Sequence, residues 1–310
     1  MLHGTTKAFF HLLAGSGVLK HLASRYGMRS SRSFARRFVA GETIAEAIEA
    51  ATAVEARGLL HTLDYLGESV ASLATAEAAA REYVRMIDVI RQSGIGRNLS
   101  LKLTQLGLDV DRASAVDNLR RVLDRADGFF VRIDMESSRY TDVTLDIFET
   151  LWHQGYRQMG VVLQSDLRRT EQDVRRMLAL GARIRLVKGA YKEPKAIAYQ
   201  KKSDVDDAYA RLLRLLLVEG HYPAIATHDP SMIDLARQYA GEKSIAAARF
   251  EFQMLYGIRR DLQAALAAQG YRVRVYIPFG CEWYPYFMRR LGERPANLAF
   301  VVGGLLRERR

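Results

Sequence analysis

In RLVKGAYKEP, Arg185 to Pro194, an apolar run (Ile184, Leu186, Val187) ends in Lys188, Gly189, Ala190 and Tyr191. If the run is a strand, cations and bare backbone N–H groups stand at its C-terminal end. A β/α barrel builds its active site at such ends. Gly189 lets a bulky anionic ligand approach the main chain. Arg185 and Lys188 suit phosphates or an electron-rich ring. A strand followed by a plain basic loop is the alternative, and this segment alone does not separate the two.

Three other segments carry chemistry. Arg289 and Arg290 lie in WYPYFMRRLGERP, a helical stretch ended by Gly292 and Pro295. Two adjacent guanidiniums can hold one carboxylate from two directions. Neighbouring helix positions diverge by about 100°, so both reach one ligand only if the helix lies across it. Glu293, four residues on, is the expected partner of Arg289. A solvated basic helix face is the alternative, although Tyr284, Tyr286 and Phe287 argue against full solvation. Lys102 interrupts the apolar run LSLKLT, and an unpaired buried ammonium is costly. Asp134, closing FFVRID, is the expected partner, so Lys102 is either catalytic or half of a structural bridge. In ATHDP, Asp229 suits a helix cap and Pro230 the first turn. Capping leaves Thr227 and His228 unexplained, and they are candidates to face a ligand.

Some chemistries are excluded. No GxxxxGK[ST] and no GxSxG occurs, and the glycines of GSGVLK (15–20) and GIGRNL (94–99) complete no dinucleotide fingerprint. Cys281 is the only cysteine, so disulfides and multi-cysteine metal sites are out, and a reducing compartment fits. The seven histidines never pair at i, i+3 or i, i+4, which argues against a histidine-rich metal centre.

The elements that would position these residues alternate. Thr43 opens a helix with Ile44, Ala47, Ile48 and Ala51 at helical spacing. Strands are expected at 59–64, 99–104, 129–134, 159–164, 183–188, 222–227, 248–253 and 272–277. Helices are expected near 71–92, 113–126, 142–154, 170–180, 204–219, 230–240 and 258–268. Strand–helix alternation over eight strands gives a (βα)8 barrel, with a doubly wound open sheet as runner-up. Lys102, Asp134, Gln164, Lys188, Thr227, Gln253 and Tyr276 all fall at or near strand C-terminal ends, where a barrel would use them. Closure depends on accepting LLHTLD (59–64) as the first strand.

With 310 residues, 49% of them hydrophobic, the chain can bury a full core, and one barrel with a helical extension fits. The expected division is 1–57, N-terminal helices packed on the barrel, and 58–310, the barrel itself. Net charge is +11, and 37 of the 46 basic residues are arginine. The charge is spread along helices rather than clustered, so compositional bias explains it better than nucleic-acid binding. No apolar run reaches the ~18 residues of a membrane span. Residues 1–41 contain no acid and mix Phe9, Phe10, Leu12 and Leu13 with Lys7, Lys20 and Arg25. That suits an interfacial helix, a transit peptide or a plain pair of packed helices.

Taken together, these segments resemble the proline dehydrogenase family in its short, monofunctional bacterial form. The motifs are LDYLGE (63–68), LSLKLTQLG (99–107), VRIDME (131–136), RLVKGAY (185–191), ATHD (226–229), EFQMLYG (251–257), VYIPFG (275–280) and YFMRRLGERPAN (286–297). They run in the family's order from about residue 38 to 300. Each is weak alone, and eight in order are specific.

The resemblance implies a distorted (βα)8 barrel with an N-terminal helical extension and a last helix lying over the barrel mouth. It implies FAD-dependent oxidation of L-proline to Δ1-pyrroline-5-carboxylate, with electrons passed to a membrane quinone. Lys102, Arg289 and Arg290 would hold the substrate carboxylate, and Tyr191, Leu255 and Tyr276 would wall the ring. Asp134 and Arg185 would be the catalytic pair, orienting the site beside the flavin. FAD would be held by Met135, Gln164, Arg185, Lys188, Gly189, Ala190, Thr227, His228 and Gln253. No metal and no nucleic acid is implied. A cytoplasmic protein touching the inner face of the membrane peripherally is expected. A separate pyrroline-5-carboxylate dehydrogenase would act downstream, because the chain has no room for the aldehyde dehydrogenase domain of long forms. Two departures stand out: Cys281 where a small or polar residue is expected, and Lys192 where some long forms carry an aromatic. Hydroxyproline or an N-alkyl amino acid is the alternative substrate. A basic module binding anionic lipid or nucleic acid is the alternative outside enzymes.

Overall fold

The computed structural model describes residues 34–293. The expected helices within residues 1–33 lie outside that range. A 3-10 turn, Phe34–Arg37, leads into helix α1 (Ile44–Glu55). Then strands and helices alternate: β1 (Leu60–Tyr65), α2 (Leu73–Ser93), β2 (Asn98–Leu101), α3 (Arg112–Arg125), β3 (Phe130–Ile133), α4 (Thr141–His153), β4 (Met159–Gln164) and α5 (Thr170–Ala179). They continue as β5 (Arg183–Val187), α6 (Lys202–Glu219), β6 (Ala224–Ala226), α7 (Pro230–Glu242), β7 (Glu251–Leu255), α8 (Arg260–Ala268), β8 (Val273–Phe279) and α9 (Trp283–Glu293).

The eight strands pair in chain order, all parallel, and close into a barrel. Closure runs from Leu60 beside Arg274 to Tyr65 beside Phe279 along β1 and β8. LLHTLD is therefore a strand, and the open-sheet alternative falls. Parallel strands covered by helices are buried on both faces and read as apolar runs. β4, MGVVLQ, is the clearest case, with every residue buried. The helices turn one stripe inward: α2 buries Ala76, Ala80, Tyr83, Met86, Ile87 and Ile90 at steps of three and four with one adjacent pair.

Helix α1 starts where the sequence placed it. The Thr43 hydroxyl accepts from the Glu46 N–H (3.3 Å), and the Glu46 carboxylate accepts from the Thr43 N–H (3.0 Å). Arg36 adds an ion pair to Glu46 at 2.6 Å. Burial pushes the Glu46 carboxyl up, but Arg36 and the N–H groups of Thr43 and Glu42 outweigh it and bring it from 4.5 to about 2. A lowered folded pKa stabilises above the unfolded value and stops doing so as pH falls through the folded value. Glu46→Gln is expected to lower Tm by about 2 °C at neutral pH, the scale of a lost cap. Thermal melts from pH 5 downward should show that difference closing between pH 4.5 and about 2.

A second apolar cluster holds α9 to the segment before α1. Ala35, Phe38, Val39 and Leu66 bury Trp283, Tyr284, Tyr286 and Met288. The Trp283 indole N–H donates to Glu42 at 3.0 Å. The chain can pass this closely because residue 257 is glycine: its φ is +73°, and a Cβ there would collide with the Arg37 carbonyl.

Three strands differ from expectation. β2 ends at Leu101, since turns occupy the residues that follow, so Lys102 stands just beyond the strand rather than inside it. β6 shrinks to Ala224–Ala226, because Tyr222 has φ +52° and Pro223 has no N–H to pair. β7 starts at Glu251, after a 3-10 turn over Ala247–Arg249.

Candidate active site

The C-terminal ends of the strands open into a cavity of about 770 Å³. Every one of the sixteen residues singled out from the sequence lines it. β2 and β3 bring Lys102, Asp134 and Met135; β4 and β5 bring Gln164, Arg185, Lys188, Gly189, Ala190 and Tyr191. β6 and β7 bring Thr227, His228, Gln253 and Leu255, while β8 and α9 bring Tyr276, Arg289 and Arg290. Both arginines face one space because α9 lies across the barrel mouth.

The floor is a charged network. Arg185 Nη1 pairs with Asp134 Oδ1 at 2.7 Å, and Nη2 donates to Ser100 Oγ at 3.1 Å. The Tyr276 hydroxyl donates to Asp134 Oδ2 at 2.7 Å. Burial, then the charge of Asp134, pushes the Tyr276 phenol far up, so it keeps its proton. Arg185 also stacks over the Tyr276 ring, 5.2 Å from its centre. Asp134 thus has both oxygens engaged.

Lys102 does not pair first with Asp134. Its ammonium sits 3.3 Å from Asp64 and 3.9 Å from Asp134. Burial pulls the ammonium down, but Asp64 and then Asp134 hold it above the ordinary lysine range. Burial pushes the Asp64 carboxyl the other way; with Lys102 this close, we take the pair as ionised. Asp64 gained no role from the sequence, yet the signal was present. It is the next-to-last residue of β1, Lys102 follows β2, and the two strands are neighbours, with Asp64 beside Ser100.

The Glu293 side chain, the partner expected for Arg289, lies outside the described residues. Arg289 pairs with Glu68 at 2.7 Å, from the loop after β1. Burial opposes the Arg289 charge, and Glu68 restores it. Arg290 lies over the Tyr286 ring, 5.3 Å from its centre. Two further carboxyls had no reading. Glu136 takes the Thr104 hydroxyl at 2.6 Å and tethers the turn after Lys102, while burial pushes its carboxyl up. Asp206 pairs with Lys188 at 2.5 Å.

The opening motif is also more paired than its letters suggest. Lys188 is shared between Asp206 and Asp229, the latter at 2.6 Å. Asp229 also caps α7 through the Ser231 N–H at 3.1 Å. Gly189 has φ +118°, and a Cβ there would collide with the Asp166 carboxylate. The Leu255 N–H donates to His228 Nε2 at 2.9 Å. That nitrogen is an acceptor, so the imidazole is neutral with its proton on Nδ1. Gln164 donates to the Glu136 carbonyl at 3.0 Å. Cys281 is exposed and does not line the cavity.

A closed parallel barrel with cations, carboxylates and aromatics gathered at its strand ends has the arrangement of a β/α-barrel enzyme. A family model described as proline dehydrogenase matches residues 47–302. Proline dehydrogenase 2 of Bacillus subtilis strain 168 is 42% identical over 305 residues, 98% of this chain and 99% of its own. The proline dehydrogenase of Deinococcus radiodurans is 44% identical over 281 residues, 89% of this chain and 91% of its own. Proline utilization A of Bdellovibrio bacteriovorus, solved after inactivation by N-propargylglycine, is 25% identical, with a TM-score of 0.80. That match covers 94% of this chain and 37% of the longer protein, so this chain spans just over a third of it. The chain belongs to the proline dehydrogenase family, a class of oxidoreductase.

Proposed function

We propose that the chain oxidises L-proline to Δ1-pyrroline-5-carboxylate with FAD and passes the electrons to a quinone, as the first step of proline catabolism. The observation that carries this reading is the grouping of Lys102, Arg289 and Arg290 on a cavity far larger than a small imino acid needs. Family membership supports it.

The residues present fit a flavin. The cavity wall offers the backbone of Lys188–Ala190 with amide, hydroxyl and imidazole groups from Gln164, Gln253, Thr227 and His228. Arg185 Nε and Gln253 Oε1 are buried without a hydrogen-bond partner in the protein, as groups awaiting a ligand would be. Met135, Gln164, Arg185, Lys188, Gly189, Ala190, Thr227, His228 and Gln253 would hold FAD. When bound, FAD supplies the hydride acceptor for the C5–H of proline.

The chain's own part is to bind and orient. Lys102, Arg289 and Arg290 clamp the carboxylate, and Arg289 exchanges Glu68 for the substrate. Tyr191, Leu255 and Tyr276 wall the ring, so the clamp and the wall fix which C–H faces the acceptor. Arg185 and Asp134 set the field around the reacting carbon. Asp134 is already held by Arg185 and Tyr276 and is not free to remove a proton. The amine must therefore arrive as its free base.

Quinone use calls for a visit to the bilayer. Among the described residues no helix is long and apolar enough to cross a membrane. The acid-free segment 1–41 is our candidate for peripheral contact at the inner face, with pyrroline-5-carboxylate passed to a separate dehydrogenase. A substrate panel tests the assignment. L-Proline is expected to give the highest kcat/KM, ahead of hydroxyproline and N-alkyl amino acids. A better turnover with any of those would reassign the substrate.

A further inference from the structure

Glu251 and Gln253 lie two apart on β7, so both side chains point to the same face of the strand. Both are buried. The Glu251 carboxylate accepts from Arg274 Nε (2.8 Å) and Nη2 (2.9 Å), from the Tyr222 hydroxyl (3.0 Å) and from Gln253 Nε2. Arg274 is fixed in turn, donating to the His61 carbonyl at 2.7 Å. Burial pushes the Glu251 carboxyl up, but Arg274 outweighs it and holds it below its ordinary value. An ionised carboxylate has only acceptors. The Gln253 amide must therefore turn its NH2 toward Glu251, which sends Oε1 the opposite way. That oxygen is buried, has no hydrogen-bond partner in the protein, and belongs to a residue lining the cavity.

We propose that Glu251 is a positioning residue: it locks the Gln253 amide so that its carbonyl, and never its NH2, meets the bound cofactor. The matching group is a ring N–H, which the isoalloxazine carries as its imide. The inference rests on the FAD reading and deepens it. An amide free to turn over could present its NH2 instead, a donor opposite a ring N–H that also donates. The Glu251–Arg274 pair, placed deep in the barrel, removes that ambiguity without touching the ligand.

Three variants of the full chain test this by FAD titration of flavin-stripped protein. Gln253→Leu removes the carbonyl and is expected to raise the FAD Kd about tenfold. Glu251→Leu with Arg274→Leu removes lock and counter-ion together, so no buried charge is stranded. It is expected to raise Kd severalfold, and adding Gln253→Leu to it should change Kd less than twofold further, because the lock acts only through Gln253. A purely structural role would lower Tm and leave the two effects on Kd multiplicative, which would overturn the inference. So would an unchanged Kd in Gln253→Leu, a result that overturns the inference without the double variant. A protein that takes up no FAD at all would sink the flavin reading first. Normal FAD binding with independent effects would sink this inference alone.

Discussion

Lys102→Met is expected to lower kcat/KM for L-proline by about two orders of magnitude and to destabilise the fold as well. The first effect is the loss of a charge-assisted contact to the substrate carboxylate, worth ~1.5–3 kcal/mol. The second has a separate cause. Asp64 is buried, and Lys102 at 3.3 Å is its ion-pair partner. Removing one member of a buried pair strands the other, at ~3–5 kcal/mol. The two effects separate on adding Asp64→Asn. The double variant should recover most of the lost Tm and keep the raised KM. If it binds L-proline normally, Lys102 is a structural bridge and nothing more.

Arg289→Ala is expected to raise KM between ten- and a hundredfold while changing kcat less, and Arg290→Ala should do the same. Each guanidinium offers a planar fork that a lysine cannot copy, so Arg289→Lys should fall between parent and alanine. Glu68 sharpens the test. It holds Arg289 at 2.7 Å where the substrate carboxylate would sit. Both partners are partly exposed, at 22% for Arg289 and 31% for Glu68, so the pair is weak enough to open. Glu68→Gln removes the competitor and should lower KM severalfold, an effect that vanishes in the Arg289→Ala background. Saturation curves for the four proteins decide it. Normal KM in both alanine variants would dismiss the clamp.

The barrel was legible because its strands are apolar runs, each followed by an amphipathic stretch, and several of those stretches open on a capping residue such as Ser72, Asp111 or Asp229. Where β6 and β7 shrank, the cause was conformational: a left-handed Tyr222, and a turn at Ala247–Arg249 that no local residue type signals. The cations of the site were legible too, since Lys102, Arg185, Lys188, Arg289 and Arg290 stand out at strand ends or as a pair. Their counter-ions were not. No spacing rule points from Arg289 to Glu68, 221 residues away, which only the folded barrel brings beside it. Asp64 was within reach of inference, because neighbouring strands of a barrel place their ends side by side. Asp206 was not, because its match to Lys188 depends on how α6 docks against β5. The pairing of Glu251 with Arg274 likewise appears only once the register of β7 on β8 sets Gln253 beside Arg274.

The most direct test is one visible absorption spectrum of the purified, FAD-supplemented protein, taken without oxygen before and after adding L-proline. A bound-flavin spectrum that bleaches with proline, and does not bleach with a carboxylic acid lacking the ring nitrogen, is the predicted result. A protein with no flavin absorption, or a bound flavin that proline leaves oxidised, would contradict the account.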